Sequence, residues 1–188
     1  DLAIFIVDDD ASVRDSLSLL LGLRGWRTVC FCDAESFLNT WKPGWAGCLL
    51  LDIRMPGMDG LTLQKKLVEL GTSLSIILIT GHGDVDAART AFRNQAVDFL
   101  EKPLDEQKLI SALEEGLVRA KTVHQEDAIQ GELDQRLKTL TPREREVMEK
   151  VVAGWHNRDI ARELGISVRT AEVHKARMMD KLGTRSVA

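Results

Sequence analysis

The stretch Cys48-Leu49-Leu50-Leu51-Asp52-Ile53-Arg54-Met55-Pro56-Gly57-Met58-Asp59-Gly60 decides the fold of this chain. Four apolar residues in a row followed by one acid read as a buried parallel strand. Met55-Pro56-Gly57 then turns the chain. Asp52 therefore stands at the carboxyl end of a central strand, where open α/β sheets place their ligand sites.

Outward from there the pattern repeats. Strand-like runs fall near 3–7, 28–32, 48–51, 75–79 and 98–100. Helix-like stretches fall at Ser12–Arg24, Ala34–Trp41, Leu61–Leu70, Val85–Asn94 and Asp105–Ala120. In the first helix Val13, Leu17, Leu20 and Leu21 share one stripe. Strands alternating with helices predict a doubly wound, five-stranded parallel sheet of about 120 residues, covered on both faces.

Beyond residue 120, Ile129, Leu133, Leu137 and Leu140 continue a helical stripe through a polar segment. Residues 121–138 are expected to form a helical linker, weakest near Gly131. Thr141-Pro142-Arg143-Glu144 carries the capping box and first-turn proline of a new helix that runs to Ala153. Asn157 is expected to cap a second helix ending at Leu164. Ser167 is expected to cap a third, to Leu182. Short helices around Gly165 form a helix-turn-helix in an all-α domain over 139–188.

The net charge is −4 over 188 residues. Residues 1–120 hold 12 basic and 18 acidic side chains, 121–135 one and four, and 136–188 twelve and seven. An acidic part joined to a basic one suggests two domains, the second facing a polyanion. No apolar run reaches the roughly 18 residues of a membrane span, and no leader pattern is present. The first residue is Asp1, so the natural start is expected upstream. Cys30, Cys32 and Cys48 read as small buried residues of a reducing cytoplasm.

The chemistry gathers at strand ends. Asp8 and Asp9 follow the first strand, Asp52 the third, Thr80 the fourth and Lys102 the fifth. Adjacent carboxylates with room for water suit Mg²⁺. A carboxylate nucleophile with metal, hydroxyl and ammonium is a kit for accepting a phosphoryl group. In the last helix Arg169, Thr170, Glu172, Val173, His174, Lys175, Ala176, Arg177 and Lys181 give a basic face suited to the major groove.

Taken together, Val7-Asp8-Asp9, Asp52 with Met55-Pro56-Gly57, Thr80-Gly81-His82-Gly83 and Lys102-Pro103 resemble the receiver domain of two-component response regulators. Residues 140–188 resemble the LuxR-type helix-turn-helix, and the domain order resembles the NarL/FixJ family, FixJ-like branch. The resemblance implies a DNA-binding response regulator with Asp52 as phosphoacceptor. It implies Mg²⁺ held by Asp9, Asp52 and the Arg54 carbonyl, with Asp8 acting through water. Thr80 and Lys102 would bind the phosphoryl oxygens, and Lys102-Pro103 would be cis. Thr80 and Phe99 would form the switch, and Arg54 and His82 would set phosphoryl lifetime. Glu172, Val173 and Ala176 would face bases, with Lys175, Arg177 and Arg169 on phosphates. The implied partners are a sensor histidine kinase, promoter DNA, RNA polymerase and, on phosphorylation, a second copy; no membrane is involved and the location is cytoplasmic.

Two departures stand out. LuxR-type domains continue past a segment like Arg185-Ser186-Val187-Ala188 into a fourth helix, which this chain is expected to lack. Asn94-Gln95 stands where relatives often have Ala-Gly, which predicts a looser turn. Two other readings compete. Haloacid-dehalogenase-like phosphatases also use an Asp nucleophile with Mg²⁺, but they carry a second Asp two positions on, where this chain has Arg54. A receiver serving only as an interaction module, never phosphorylated, is opposed by the complete pocket.

Overall fold

The computed structural model describes residues 2–81 and 85–184, which fall into two compact units, Asp1–Glu126 and Asp127–Ala188. His82 and the segment Arg185–Ala188 lie outside the described residues.

In the first unit, β1 (Ala3–Val7), α1 (Ala11–Leu23), β2 (Thr28–Phe31), α2 (Ala34–Thr40), β3 (Gly47–Asp52), α3 (Gly60–Glu69), β4 (Ser75–Thr80), α4 (Val85–Arg93) and β5 (Asp98–Glu101) alternate. The strands form one parallel sheet in the order β2-β1-β3-β4-β5. β3 is central and buried along its whole length. Strand side chains alternate between two faces. Phe5, Leu49, Leu51 and Leu78 pack on one side with Phe37 of α2, Leu63 and Leu67 of α3, and Ala91 of α4. Ile4, Ile6, Leu50, Ile77 and Ile79 pack on the other with Leu17 and Leu21 of α1 and with Leu109, Ile110 and Leu113 of α5 (Glu106–Lys138). An acid precedes each of the first three helices. Asp10, Asp33 and Asp59 accept the backbone N–H of Ser12, Ser36 and Thr62 at 2.8, 2.6 and 2.7 Å, as N-caps do.

α5 is one helix that passes Gly131 without a break. The second unit packs α6 (Pro142–Val152), α7 (Asn157–Glu163) and α8 (Val168–Leu182) around Val147, Val151, Ile160, Ala161 and Ala171. The capping box of Thr141 and Glu144 forms as expected, and Ser167 caps α8.

Two local expectations are corrected. Asn157 does not cap α7: the N-cap position is His156, which makes no side-chain capping bond. Cys30 and Cys32 are exposed, because β2 is the sheet edge and Cys32 lies past its end; Cys48 alone is buried. Val168, at the start of α8, is exposed. In the turn after α4, Gln95 adopts the left-handed conformation itself, at φ 66°.

Candidate phosphoryl-acceptor site and nucleic-acid interface

β1 and β3 are neighbours, so their carboxyl ends bring Asp8 and Asp52 together. Asp8 is 1% exposed and Asp52 4%. Two buried carboxylates this close need a cation. Lys102, just past β5, supplies it: its Nζ donates to Asp52 Oδ1 at 2.6 Å and to Asp8 Oδ2 at 2.8 Å. The Lys102 backbone N–H donates to the Thr80 carbonyl at 2.7 Å, which ties the ends of β4 and β5 together. The Lys102–Pro103 bond is cis.

The remaining carboxylate oxygens are held by backbone. Arg54 N donates to Asp52 Oδ2 at 2.7 Å, and Asp10 N donates to Asp8 Oδ1 at 2.9 Å. Gly60 lets the loop after β3 close, its N–H donating to the Ile53 carbonyl at 2.9 Å. A Cβ on Gly60 would run into the carbonyl of Asp52.

Burial pushes the Asp52 carboxyl above its usual range; Lys102 pulls it down, and nearby Asp8 adds to the rise. Burial also opposes the charge on Lys102, but the two carboxylates outweigh it and its pKa is raised. One ammonium thus serves two acids.

Of the other expected site residues, Thr80 is buried at the end of β4. Phe99 is half-buried against the cluster on the α2–α3–α4 face. Asp9 and Arg54 are exposed at the rim. Among the described residues no three His, Cys, Asp or Glu side chains gather into a ready-made metal cage. The oxygen donors that do meet here still fit Mg²⁺, which keeps several waters and binds through one or two carboxylates. Asp10 is occupied as a helix cap.

Arg14 is a neighbour that the sequence reading missed. Its Nη1 donates to the Asp8 carbonyl at 2.7 Å, bracing the turn that carries Asp8 and Asp9. An arginine on an amphipathic helix reads as solvated face. Its signal is its place in the first turns after a strand that ends in acids. Beside the site an apolar groove of about 400 Å³ is lined by Val13, Leu17, Leu20, Leu104 and Leu109.

In the second unit, Arg169, Thr170, Glu172, Val173, Ala176 and Arg177 of α8 are exposed, and His174 and Lys175 are half-buried. Ala171 and Met178 anchor the opposite face. The Thr170 hydroxyl is shared with Ser167 Oγ at 2.7 Å. The helix is held from beneath by Glu144, whose Oε2 accepts from Lys181 Nζ at 2.6 Å and from Thr141 N at 2.9 Å. Lys181, with the Thr141 backbone N–H, lowers the Glu144 pKa to about 2. Among the described residues no helix is long and apolar enough to cross a membrane.

Residues 4–114 match the response regulator receiver domain, and residues 138–188 match the luxR family of bacterial regulatory proteins. The transcriptional regulatory protein FixJ of Bradyrhizobium diazoefficiens is 41% identical over 186 residues, covering 98% of this chain and 90% of that protein. Among solved structures, the response regulator StyR is 40% identical with a TM-score of 0.89, covering 98% of this chain and 93% of that one. Full-length FixJ from B. japonicum is 39% identical with a TM-score of 0.59, covering 100% and 92%.

Proposed function

The chain belongs to the response regulators that join a receiver domain to a LuxR-type DNA-binding domain, as a FixJ-like transcriptional regulator of a two-component system, and from that premise we propose that Asp52 is its phosphoacceptor. The observation that carries the proposal is the single ammonium of Lys102 bridging buried Asp8 and Asp52. It leaves Asp52 an under-neutralised carboxylate at the mouth of the sheet.

Receiver membership implies a kinase partner, and the LuxR-type domain implies DNA. The donor is a phosphohistidine of a sensor histidine kinase. An Asp52 oxygen attacks phosphorus, the P–N bond breaks with its electron pair going to the imidazole, and an aspartyl phosphate remains. Lys102 and Thr80 then bind phosphoryl oxygens. Mg²⁺, held by Asp8, Asp9, Asp52 and the Arg54 carbonyl, would offset charge on the transferring oxygens. The groove along α1 offers the donor protein an apolar footing. Arg54, with His82, governs how long the phosphoryl group survives.

The added charge of about −1.5 to −2 draws Thr80 inward and lets Phe99 turn. This changes the α4–β5–α5 face and favours a homodimer. α8 then reads promoter DNA, with Glu172, Val173 and Ala176 toward bases, Arg169, Lys175 and Arg177 on phosphates, and Thr170 and His174 beside them. The regulator works in the cytoplasm with RNA polymerase.

Intact-protein mass after incubation with acetyl phosphate and Mg²⁺ tests the core of this. A gain of about 80 Da is expected in the wild type and none in Asp52→Ala. An equal gain in both would reject Asp52 as acceptor.

A further inference from the structure

α4 is lightly held. Of Val85–Arg93 only Ala91 is buried, while Val85 and Phe92 are exposed. Its carboxyl end is fastened by a side chain from the neighbouring helix. Gln64 of α3 is completely buried. Its Nε2 donates to the Ala91 carbonyl at 2.9 Å and to the Asn94 carbonyl at 3.0 Å. Two amide protons meet two carbonyls of the last turn.

The same joint carries two costs. Gln64 Oε1 is buried and has no hydrogen-bond partner among the described residues. A buried acceptor without a donor weighs against the arrangement that leaves it so. One residue past Asn94, Gln95 takes φ 66°, and it is the single non-glycine residue with positive φ among those described. A left-handed backbone with a Cβ is also disfavoured. Such costs collect where an element has two arrangements.

We propose that Gln64 is a positioning residue that latches the carboxyl end of α4 in the resting arrangement. The two costs keep that arrangement only slightly favoured, so the phosphoryl group has little to overcome when it releases α4. The inference deepens the reading of Asp52 as phosphoacceptor and rests on it for the trigger, though not for the latch.

The latch is tested first without phosphate, by hydrogen exchange on the full chain. Gln64→Met keeps the volume and removes both donors. The amides of Asn94, Gln95 and Ala96 are expected to exchange at least about tenfold faster, since two buried hydrogen bonds are lost, with β4 amides unchanged. Gln95→Gly relieves the left-handed cost and is expected to slow the same amides about fivefold. Sedimentation with and without acetyl phosphate and Mg²⁺ gives the second readout. The unphosphorylated chain is expected to dimerise more readily in Gln64→Met and less readily in Gln95→Gly.

Equal acceleration of β4 and α4 amides in Gln64→Met would make Gln64 a plain packing residue and overturn the proposal. So would both variants moving the same way, or neither moving. If Gln64→Met does not fold, Gln95→Gly decides alone: slowed exchange supports the latch and unchanged exchange rejects it. If the wild type takes no phosphate on Asp52, the phosphoacceptor reading fails while the exchange result still stands.

Discussion

Asp52 in the receiver and Glu144 in the C-terminal unit each lie buried 2.6 Å from a lysine Nζ, yet the two pairs are balanced differently. Lys181 serves one carboxylate, and the Thr141 backbone N–H donates to the same oxygen. Lys102 is divided between two. The balanced pair holds Glu144 ionised, with its pKa lowered to about 2. The divided pair leaves Asp52 raised by burial, with its charge only partly met. One ammonium for one acid builds structure, whereas one ammonium between two acids leaves net negative charge at the strand ends.

The glycines give the largest way to break this contrast. Gly60→Ala sets a Cβ against the Asp52 backbone carbonyl. It is expected to cost about 1–3 kcal/mol of receiver stability and to slow phosphoryl acceptance from acetyl phosphate at least roughly tenfold. Gly183→Ala meets the flexible end of Arg136 instead, at φ +67°. It is expected to cost about 1–2 kcal/mol and to leave acceptance unchanged. Thermal melts and phosphorylation time courses separate the two.

Neutralising each carboxylate should act with opposite sign. Asp52→Asn in magnesium-free buffer at pH 7 is expected to raise the receiver midpoint by roughly 4 °C. Glu144→Gln is expected to lower that of the C-terminal unit. A fall in both would show that Asp52 is as fully paired as Glu144.

The acid limb sharpens the point. Glu144 has a folded pKa of about 2 against an ordinary 4.5. Its contribution is complete above about 4.5 and is lost as pH falls toward 2. Asp52, raised above 3.8, contributes fully below that value and loses the contribution as pH rises through its folded pKa. Acid titration followed by calorimetry should therefore loosen the C-terminal unit through Glu144 while Asp52 works the other way in the receiver. The smallest effect belongs to an exposed pair, Lys65 and Glu69 at 3.9 Å. Lys65→Ala is expected to change stability by less than about 0.5 kcal/mol.

Much of this was legible from residue order. Apolar runs placed all five strands because parallel strands buried on both faces are apolar throughout, and a lone acid at the end of such a run stands out. What an apolar run does not report is position in the sheet. Cys30 and Cys32 therefore looked buried although β2 lies at an edge. Nor does it report which acid an ammonium chooses: sharing between Asp8 and Asp52 depends on strand order. Asn157 looked like a cap because its side chain suits one, but α7 begins one residue earlier, behind His156. Gln64 was overlooked as polar, although Gly60, Leu63, Gln64 and Leu67 fall on one buried stripe of α3. A glutamine at a core position of a helical stripe is the signal that would have found it.

The distribution of thiols turns the receiver into its own reporter. All three cysteines lie in residues 30–48, and the C-terminal unit has none. Cys48 sits beneath α5, its thiol pushed up to about 12 by burial, while Cys30 and Cys32 are open to solvent. A maleimide should label two thiols at once and the third only when the receiver opens. The rate of that last labelling step is a clock for one domain, readable by mass while the other domain stays folded or bound to DNA.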